Sequence, residues 1–251
     1  MPDIPLILSE NYIALDCTIV SSGYNTIESL FDGLVGTCWS SVGSCDSQIE
    51  TIDVKFYELG SQVYRFLDRL GILKHNLRDF DFQYFDGANW QSLVGMCDNT
   101  NPNIFQSFAG ICCNEVRLRM NRTIGGVNEK QVSELFVGKL KYTFPRFPEG
   151  FEPDRVVGEG SFRTAYGNLK FWREFERMVF VVSLLALSGA EKEVLENLYE
   201  ESRQVTFYPL PETDPEGLYQ VKWSSPFGGD KFYSVIARDA GYNIEMRFEQ
   251  L

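Results

Sequence analysis

The side chains of this chain best suited to chemistry are one histidine, His75, six cysteines and 35 carboxylates. A serine or cysteine nucleophile needs a neighbouring base, most often an imidazole, and His75 would have to serve every such site. It stands between Lys74 and Asn76-Leu77 in a polar turn ahead of a strand, the setting of a hydrogen-bonded structural histidine. Zinc needs Cys or His at short spacing, and Cys17, Cys38, Cys45, Cys97, Cys112 and Cys113 contain no Cys-x-x-Cys. They are expected as free thiols, buried like small apolar side chains. Two carboxylates can act as acid and base on a glycosidic bond, yet no pair among these is set apart by pattern. Val157–Gly167, VGEGSFRTAYG, has the glycines of a phosphate-covering loop, but neither His-Arg-Asp nor Asp-Phe-Gly follows it. No catalytic constellation emerges, and the chain is expected not to be an enzyme.

What must position these groups is a series of short strands. In Leu77–Trp90, LRDFDFQYFDGANW, Phe80, Phe82 and Tyr84 alternate with Asp79, Asp81 and Gln83. Successive strand side chains point to opposite faces, so this pattern predicts a half-buried strand. Each aromatic contributes roughly 1.5–3 kcal/mol if fully buried, and a slip of one residue would put all three in water. Asp86-Gly87 predicts a tight turn, with Trp90 beyond it in reach of the same core. Ile52, Val54 and Phe56 alternate in the same way, as do Val116, Leu118 and Met120, and Val132–Val137 reads as a closing strand. With turn signals at Asp32-Gly33, Gly43 and Gly125-Gly126, residues 1–142 predict an antiparallel β-sandwich.

Pro145, Pro148 and Pro153 cannot donate to a strand ladder, which predicts a proline-rich linker over residues 143–154. Residues 155–251 then predict a small α+β domain. Ser188 and Glu191 fit a capping box opening a helix over Ser188–Ser202. Ala190, Val194, Leu195, Leu198 and Tyr199 share one face of it, and Glu193, Glu196, Asn197 and Glu200 the other. Such a one-sided helix must lie on a sheet. Strands are predicted at Phe171–Leu187, Val205–Tyr208, Leu218–Trp223, Lys231–Ala237 and Tyr242–Phe248.

The formal net charge of −12 repels phosphate backbones, so nucleic acid is not an expected partner. Met178–Leu187, the longest apolar stretch, falls short of the roughly 20 residues a spanning helix needs. Met1–Glu10 lacks the basic start and long apolar run of a secretory signal. No membrane insertion is expected, and synthesis in the cytoplasm is.

In order along the chain come Leu30-Phe31-Asp32-Gly33, Thr37-Cys38-Trp39, Ile49–Val54, His75-Asn76-Leu77, Asp86-Gly87-Ala88-Asn89-Trp90, Glu115–Met120 and Val132–Val137. This series resembles the discoidin or coagulation-factor C-type domain, the galactose-binding-like fold, over residues 1–142. The His-Asn-Leu is similar to versions of that domain attached to bacteriophage tail proteins. The resemblance implies an eight-stranded jelly-roll β-sandwich whose loops at one end hold sugars or other surface ligands in some members. Tyr24, Asn25, Asn99, Asn101 and Phe105 are the expected ligand-binding residues, while Trp39 and Trp90 belong to the core. It also implies a structural Ca2+ on Asp32, Thr37 and Glu134, whose hard oxygens suit that ion. A turn in which Asp32 caps its own backbone would account for the same aspartate.

Leu187–Glu191, Phe207–Pro209, Tyr219–Trp223 and Gly241–Ile244 make residues 155–251 loosely similar to a tailed-phage virion protein domain. The two resemblances together imply a structural component of a phage tail or tail-like particle, with an adhesive or decorating first domain and a second domain for assembly. The implied partners are other virion or tail proteins, a homo-oligomeric ring and a surface glycan, and the implied location is the virion, assembled in the host cytoplasm. Phe144, Phe147, Phe151, Phe162, Tyr166 and Trp172 lie outside clear strand periodicity and are the expected assembly contact. A free carbohydrate-binding protein is the alternative, and a glycan-active enzyme the second alternative.

Overall fold

The computed structural model describes residues 4–15, 17–22, 27–32, 36–163, 169–211, 213–214, 216–226, 229–233 and 240–251, with backbone alone at 159–160, 162–163, 169–176, 229–233 and 240. In order the strands are β1 Leu6–Leu8, β2 Cys17–Ser21, β3 Trp39–Ser40, β4 Glu50–Glu58, β5 Ser61–Gln62, β6 Arg65–Leu73 and β7 Leu77–Phe85. Next come β8 Trp90–Met96, β9 Ile104–Cys113, β10 Glu115–Thr123, β11 Gln131–Val132, β12 Glu134–Gly138 and β13 Leu140–Thr143. The remainder is β14 Gly150–Arg163, β15 Leu169–Leu187, helix α1 Gly189–Glu201, β16 Gln204–Tyr208, β17 Tyr219–Trp223, β18 Gly229–Tyr233 and β19 Ala240–Gln250. Two compact units result, Met1–Thr143 with Thr206–Leu218, and Phe144–Val205 with Tyr219–Leu251. Thr206–Leu218 therefore groups with the first unit despite its place late in the chain. Gly150–Asp154, read as linker, is the start of β14, and Pro153 is accommodated because β14 lies at the outer edge of its sheet, where a missing donor costs no ladder bond.

The first unit is an antiparallel sandwich. One sheet runs β2-β4-β10-β7-β8 with β5 on β4, and the other runs β12-β6-β9. Its alternating strands meet as their apolar faces require: Leu118 lies opposite Ile52 on one side and Phe82 on the other. Ile52, Val54, Phe56, Phe80, Phe82, Val116, Leu118 and Met120 form one core with Leu67, Leu70, Ile72, Ile104, Leu135 and Val137. The predicted closing strand is divided, because β11 pairs with β3 whereas β12 pairs with β6. The polar face of β7 is not wholly in water, since Asp79 is buried. Of the cysteines, Cys113 is buried and Cys17 half-buried, but Cys38, Cys45, Cys97 and Cys112 are exposed. The expectation of buried thiols is thus corrected for four of the six, because those four fall in loops or at outward strand positions.

A second apolar cluster of Leu8, Phe136 and Tyr208, with Leu6, Phe105, Leu140 and Leu218 against it, completes this unit. β1 pairs with both β13 and β16 there. Gly71 permits the close packing, since a Cβ would sit 3.2 Å from Phe136 Cβ.

In the second unit the strands run β17-β19-β15-β14, with β18 beside β19. Helix α1 starts where the capping box predicts: Ser188 Oγ accepts from the Glu191 N–H at 3.2 Å, and Glu191 Oε2 accepts from the Ser188 N–H at 2.7 Å. Leu195 and Leu198 are buried and Tyr199 meets Trp223 edge-on at 5.2 Å. Val194 is 47% exposed, so the buried stripe is narrower than the apolar face read from the sequence.

Candidate functional site

β7 pairs with β8 on one side and β10 on the other. That pairing gathers the start of β7, the β8–β9 loop and the turn after β10 at one end of the sandwich. Between them is an open pocket of about 470 Å³ lined by Arg78, Asp98, Asn99, Thr100, Ile124 and Gly125. The volume falls in the ordinary range for small-ligand sites.

Arg78 Nε donates to Asp98 Oδ1 at 3.0 Å, and Nη2 donates to the same oxygen. Among the described residues, Arg78 Nη1 and Asp98 Oδ2 have no hydrogen-bond partner, and both side chains line the pocket. Asp98 has φ 55°, a left-handed conformation that aspartate adopts more readily than most residues. Its N–H donates to Asp79 Oδ1 at 2.9 Å, and Arg122 Nε donates to the other Asp79 oxygen. Burial by itself would raise the Asp79 carboxyl, but the Asp98 N–H and the Arg122 guanidinium hold it below the usual carboxylate range. Asp79 is therefore an ionised anchor beneath the loop.

The wall itself is a ladder of asparagines. Asn99 Oδ1 accepts from the Asn101 N–H at 3.0 Å, Asn101 Oδ1 from the Asn103 N–H at 2.9 Å, and Asn103 Oδ1 from the Lys74 N–H at 2.8 Å. Asn99 Nδ2 donates to the carbonyls of Leu77 and Asn101, both at 2.8 Å. The bonds within 99–103 are side chains closing their own short turns, and those to Lys74 and Leu77 tie the loop to the segment that leads into β7. A wall so held loses little further freedom when a ligand binds. On the opposite side Gly125 supplies φ 77°, and Thr123 donates to Asp46 Oδ1 through both N–H and Oγ1 at 2.7 Å. The Thr123 contacts lower the Asp46 pKa.

His75 lies behind this wall and is buried. Its Nδ1 accepts from the Leu77 N–H at 3.0 Å, which leaves the ring proton on Nε2, and its ring meets Phe80 edge-on at 5.9 Å. Burial lowers its pKa to about 4. Its contacts are those of a structural residue.

Of the residues expected to bind ligand, Asn99 lines the pocket and Asn101 braces Asn99. Phe105 is a correction. It packs inward against Tyr208 at 5.0 Å and Phe136 at 6.4 Å, because its strand position faces the second apolar cluster. Tyr24 and Asn25 lie outside the described residues. Arg78, Asp98, Ile124 and Gly125 escaped sequence reasoning; the turn-rich run Asp98–Asn103 was the available signal for the wall, whereas Arg78 looked like one more polar residue of β7.

At the implied metal site, Thr37 Oγ1 donates to Asp32 Oδ2 at 2.7 Å. Asp32 and Thr37 are exposed and Glu134 is buried on β12, which packs beside the 3₁₀ turn Ile27–Leu30 just ahead of Asp32. The donors are hard oxygens, as calcium prefers. Among the described residues no group of three or more His, Cys, Asp or Glu side chains is gathered as for a metal ion.

Of the expected assembly aromatics, Phe144 and Phe151 are turned inward. Phe144 is 1% exposed, and Phe151 stacks on Phe180 at 6.2 Å and meets Phe147 at 5.7 Å. Phe151 folds onto its own unit because Gly150–Arg163, read in part as an arm, is a strand. Phe147 remains 40% exposed. For Phe162 and Trp172 only the backbone is described, in β14 and β15, and Tyr166 lies outside the described residues.

No family model and no curated protein matches the chain. Among solved structures it is similar to chitosan-binding module 1 from a chitosanase/glucanase of Paenibacillus sp. IK-5, at 19% identity and TM-score 0.42, covering 51% of this chain and 98% of that one. It is similar to the family 32 carbohydrate-binding module of Streptococcus pneumoniae EndoD, at 17% identity and TM-score 0.42, covering 51% and 98%. A third is CpGH89CBM32-5 from Clostridium perfringens, in complex with GalNAc-β-1,3-galactose, at 15% identity and TM-score 0.39, covering 49% and 94%.

Proposed function

We propose that the first unit is a glycan-binding module whose ligand sits against Arg78, Asp98, Asn99 and Thr100. One observation carries this reading. The Arg78 guanidinium spends two N–H groups on a single Asp98 oxygen, so that among the described residues its remaining N–H groups and the other Asp98 oxygen carry no hydrogen bond, and both side chains line an open pocket. Neighbouring sugar hydroxyls, each both donor and acceptor, match such a couple, and the paired charges suit a neutral ligand. The lining holds a single carboxylate, whereas glycoside hydrolysis generally takes two, so the site fits binding and not turnover.

Titration against a sugar panel that includes chitotriose and GalNAc-β-1,3-galactose tests it. Arg78→Ala and Asp98→Asn should each weaken binding about tenfold, the value of one charge-assisted hydrogen bond, with little change in melting temperature because both side chains are largely exposed. Affinity unchanged in both variants would remove the site.

The role as a component of a tail-like particle is a second reading, favoured by the second unit. β15 pairs with β19 only from Val179 onward, so Arg155–Arg163 and Leu169–Met178 form a two-stranded ribbon with no third strand among the described residues. Ribbons of that kind are marginal alone and gain from a neighbour. A chain that binds none of the sugars and sediments as a defined ring would shift the conclusion to this reading. In either case a structural Ca2+ held by Asp32, Thr37 and Glu134 belongs to the proposal for the first unit. Millimolar calcium should then raise the melting temperature of demetallated protein by a few degrees, and Asp32→Ala should abolish the rise; the absence of any rise in the parent protein leaves Asp32 as a turn residue only.

A further inference from the structure

We propose that His75 is a pH-sensitive latch on the pocket wall, closed while the imidazole is neutral and opened by its protonation. As a means of regulating the glycan site it rests on the binding reading above, though the latch itself stands on the geometry of the loop.

The wall is sewn to residues 74–78 at four points. The His75 N–H donates to Pro102 O at 2.9 Å and the Asn99 N–H to Arg78 O at 2.9 Å. The Lys74 N–H reaches Asn103 Oδ1 at 2.8 Å, and Asn99 Nδ2 reaches Leu77 O at 2.8 Å. Three of the four end on the turn from Lys74 to Leu77, which is strained at Lys74 with φ 45°, and the fourth ends on Arg78 directly after it. Within that turn the imidazole acts as an acceptor, Nδ1 taking the Leu77 N–H at 3.0 Å. An imidazolium carries a proton on both nitrogens, so protonation would set Nδ1–H against Leu77 N–H. The other nitrogen offers no relief, because Nε2 is buried with no partner among the described residues.

Among the described residues no neighbouring charge favours the imidazolium. On its own segment Lys74 pairs with Glu216 at 3.0 Å, and Arg78 with Asp98 of the facing loop. Asp79 pairs with Arg122 of β10. In the 127–131 loop Glu129 accepts from Ser40 Oγ at 3.3 Å, and Lys130 Nζ donates to the carbonyls of Cys45 and Asp46. Among the described residues, the hydrogen bonds and ring contact of His75 go to Leu77, Pro102 and the Phe80 ring. Burial holds the folded pKa at about 4, against 6.5 for the free side chain. An opened wall therefore binds a proton more readily than a closed one, so closure is fully favoured above about pH 6.5 and is lost progressively towards pH 4. The lowered pKa of both Asp79 and Asp46 keeps these carboxylates charged through most of that window.

His75→Asn separates protonation from structure, since its Oδ1 accepts the Leu77 N–H in the same kind of turn and does not titrate. Hydrogen exchange of residues 98–103 in the full chain, corrected for the intrinsic effect of pH, reads the wall directly. Between pH 7 and pH 4.5 protection should fall on the order of tenfold or more in the parent chain and stay nearly constant in His75→Asn. Binding of chitotriose or GalNAc-β-1,3-galactose, whichever is held at pH 7, should fall in parallel. Constant protection in the parent chain, or an equal fall in both proteins, overturns the latch whatever the sugars do. A fall confined to the parent chain supports the latch even where neither sugar binds, and then only the glycan reading fails.

Discussion

Phe82→Asp is expected to unfold the first unit. Phe82 is 1% exposed at the middle of β7, opposite Leu118 of β10 and Val94 of β8, with Phe108 at 6.2 Å between ring centroids. Losing the ring costs about 3–5 kcal/mol. The new carboxylate must also be buried without a partner or be protonated, which adds several kcal/mol more. Their sum matches the whole stability of a typical domain, about 5–15 kcal/mol. Asp81→Asn is the control on the other face. Asp81 accepts from Ser92 Oγ at 2.5 Å and Gln83 Nε2 at 2.6 Å, bonds an amide can largely keep, so a loss of about 1 kcal/mol or less is expected. Near-ultraviolet circular dichroism decides the matter: a native-like spectrum for Phe82→Asp would show that β7 is not the centre of this core.

Lys130→Ala is expected to cost about 3–5 kcal/mol, an unusually large effect for a loop lysine. Lys130 is 0% exposed, and its Nζ donates to Cys45 O and Asp46 O at 3.3 Å each. Burial lowers its pKa, while the charges of Glu50 and Asp46 act in the opposite direction. Glu50 is itself 2% exposed, and its Oε2 has no hydrogen-bond partner among the described residues. Deleting the ammonium strands that buried carboxylate. Lys130→Met combined with Glu50→Gln should recover most of the loss, because it replaces two buried charges that attract one another without a direct ion pair by uncharged groups of similar volume. Urea unfolding of the three proteins measures this. A loss below about 1 kcal/mol for Lys130→Ala would mean that the Glu50 charge is satisfied in some other way.

These expectations show why the core was legible and the site was not. The aromatics of β7 and the capping box of α1 are written within a few consecutive residues, where period and spacing state the structure directly. Phe105 and Asn101 look equally suited to a binding loop in sequence, but one faces an apolar cluster and the other a turn. Asp79 and Asp81 are alternating partners of the same aromatics, and only the nearness of Arg122 and of the Asp98 N–H makes Asp79 a buried anchor. Pro153 argues against a strand in general, and it is the edge position of β14 that allows one here.

By itself the sequence determined the alternating strands, the helix with its cap, and the antiparallel character of the first unit, since each depends on neighbours within about ten residues and on which side chains avoid water. Tertiary structure alone decided the pocket. Arg78, Asp98 and Gly125 are far apart along the chain and meet because β7 is held between β8 and β10. It also decided that Thr206–Leu218 joins the first unit and that Phe144 and Phe151 turn inward. Strand pairing and burial between distant segments are set by the balance of the whole core, and no local pattern carries that balance.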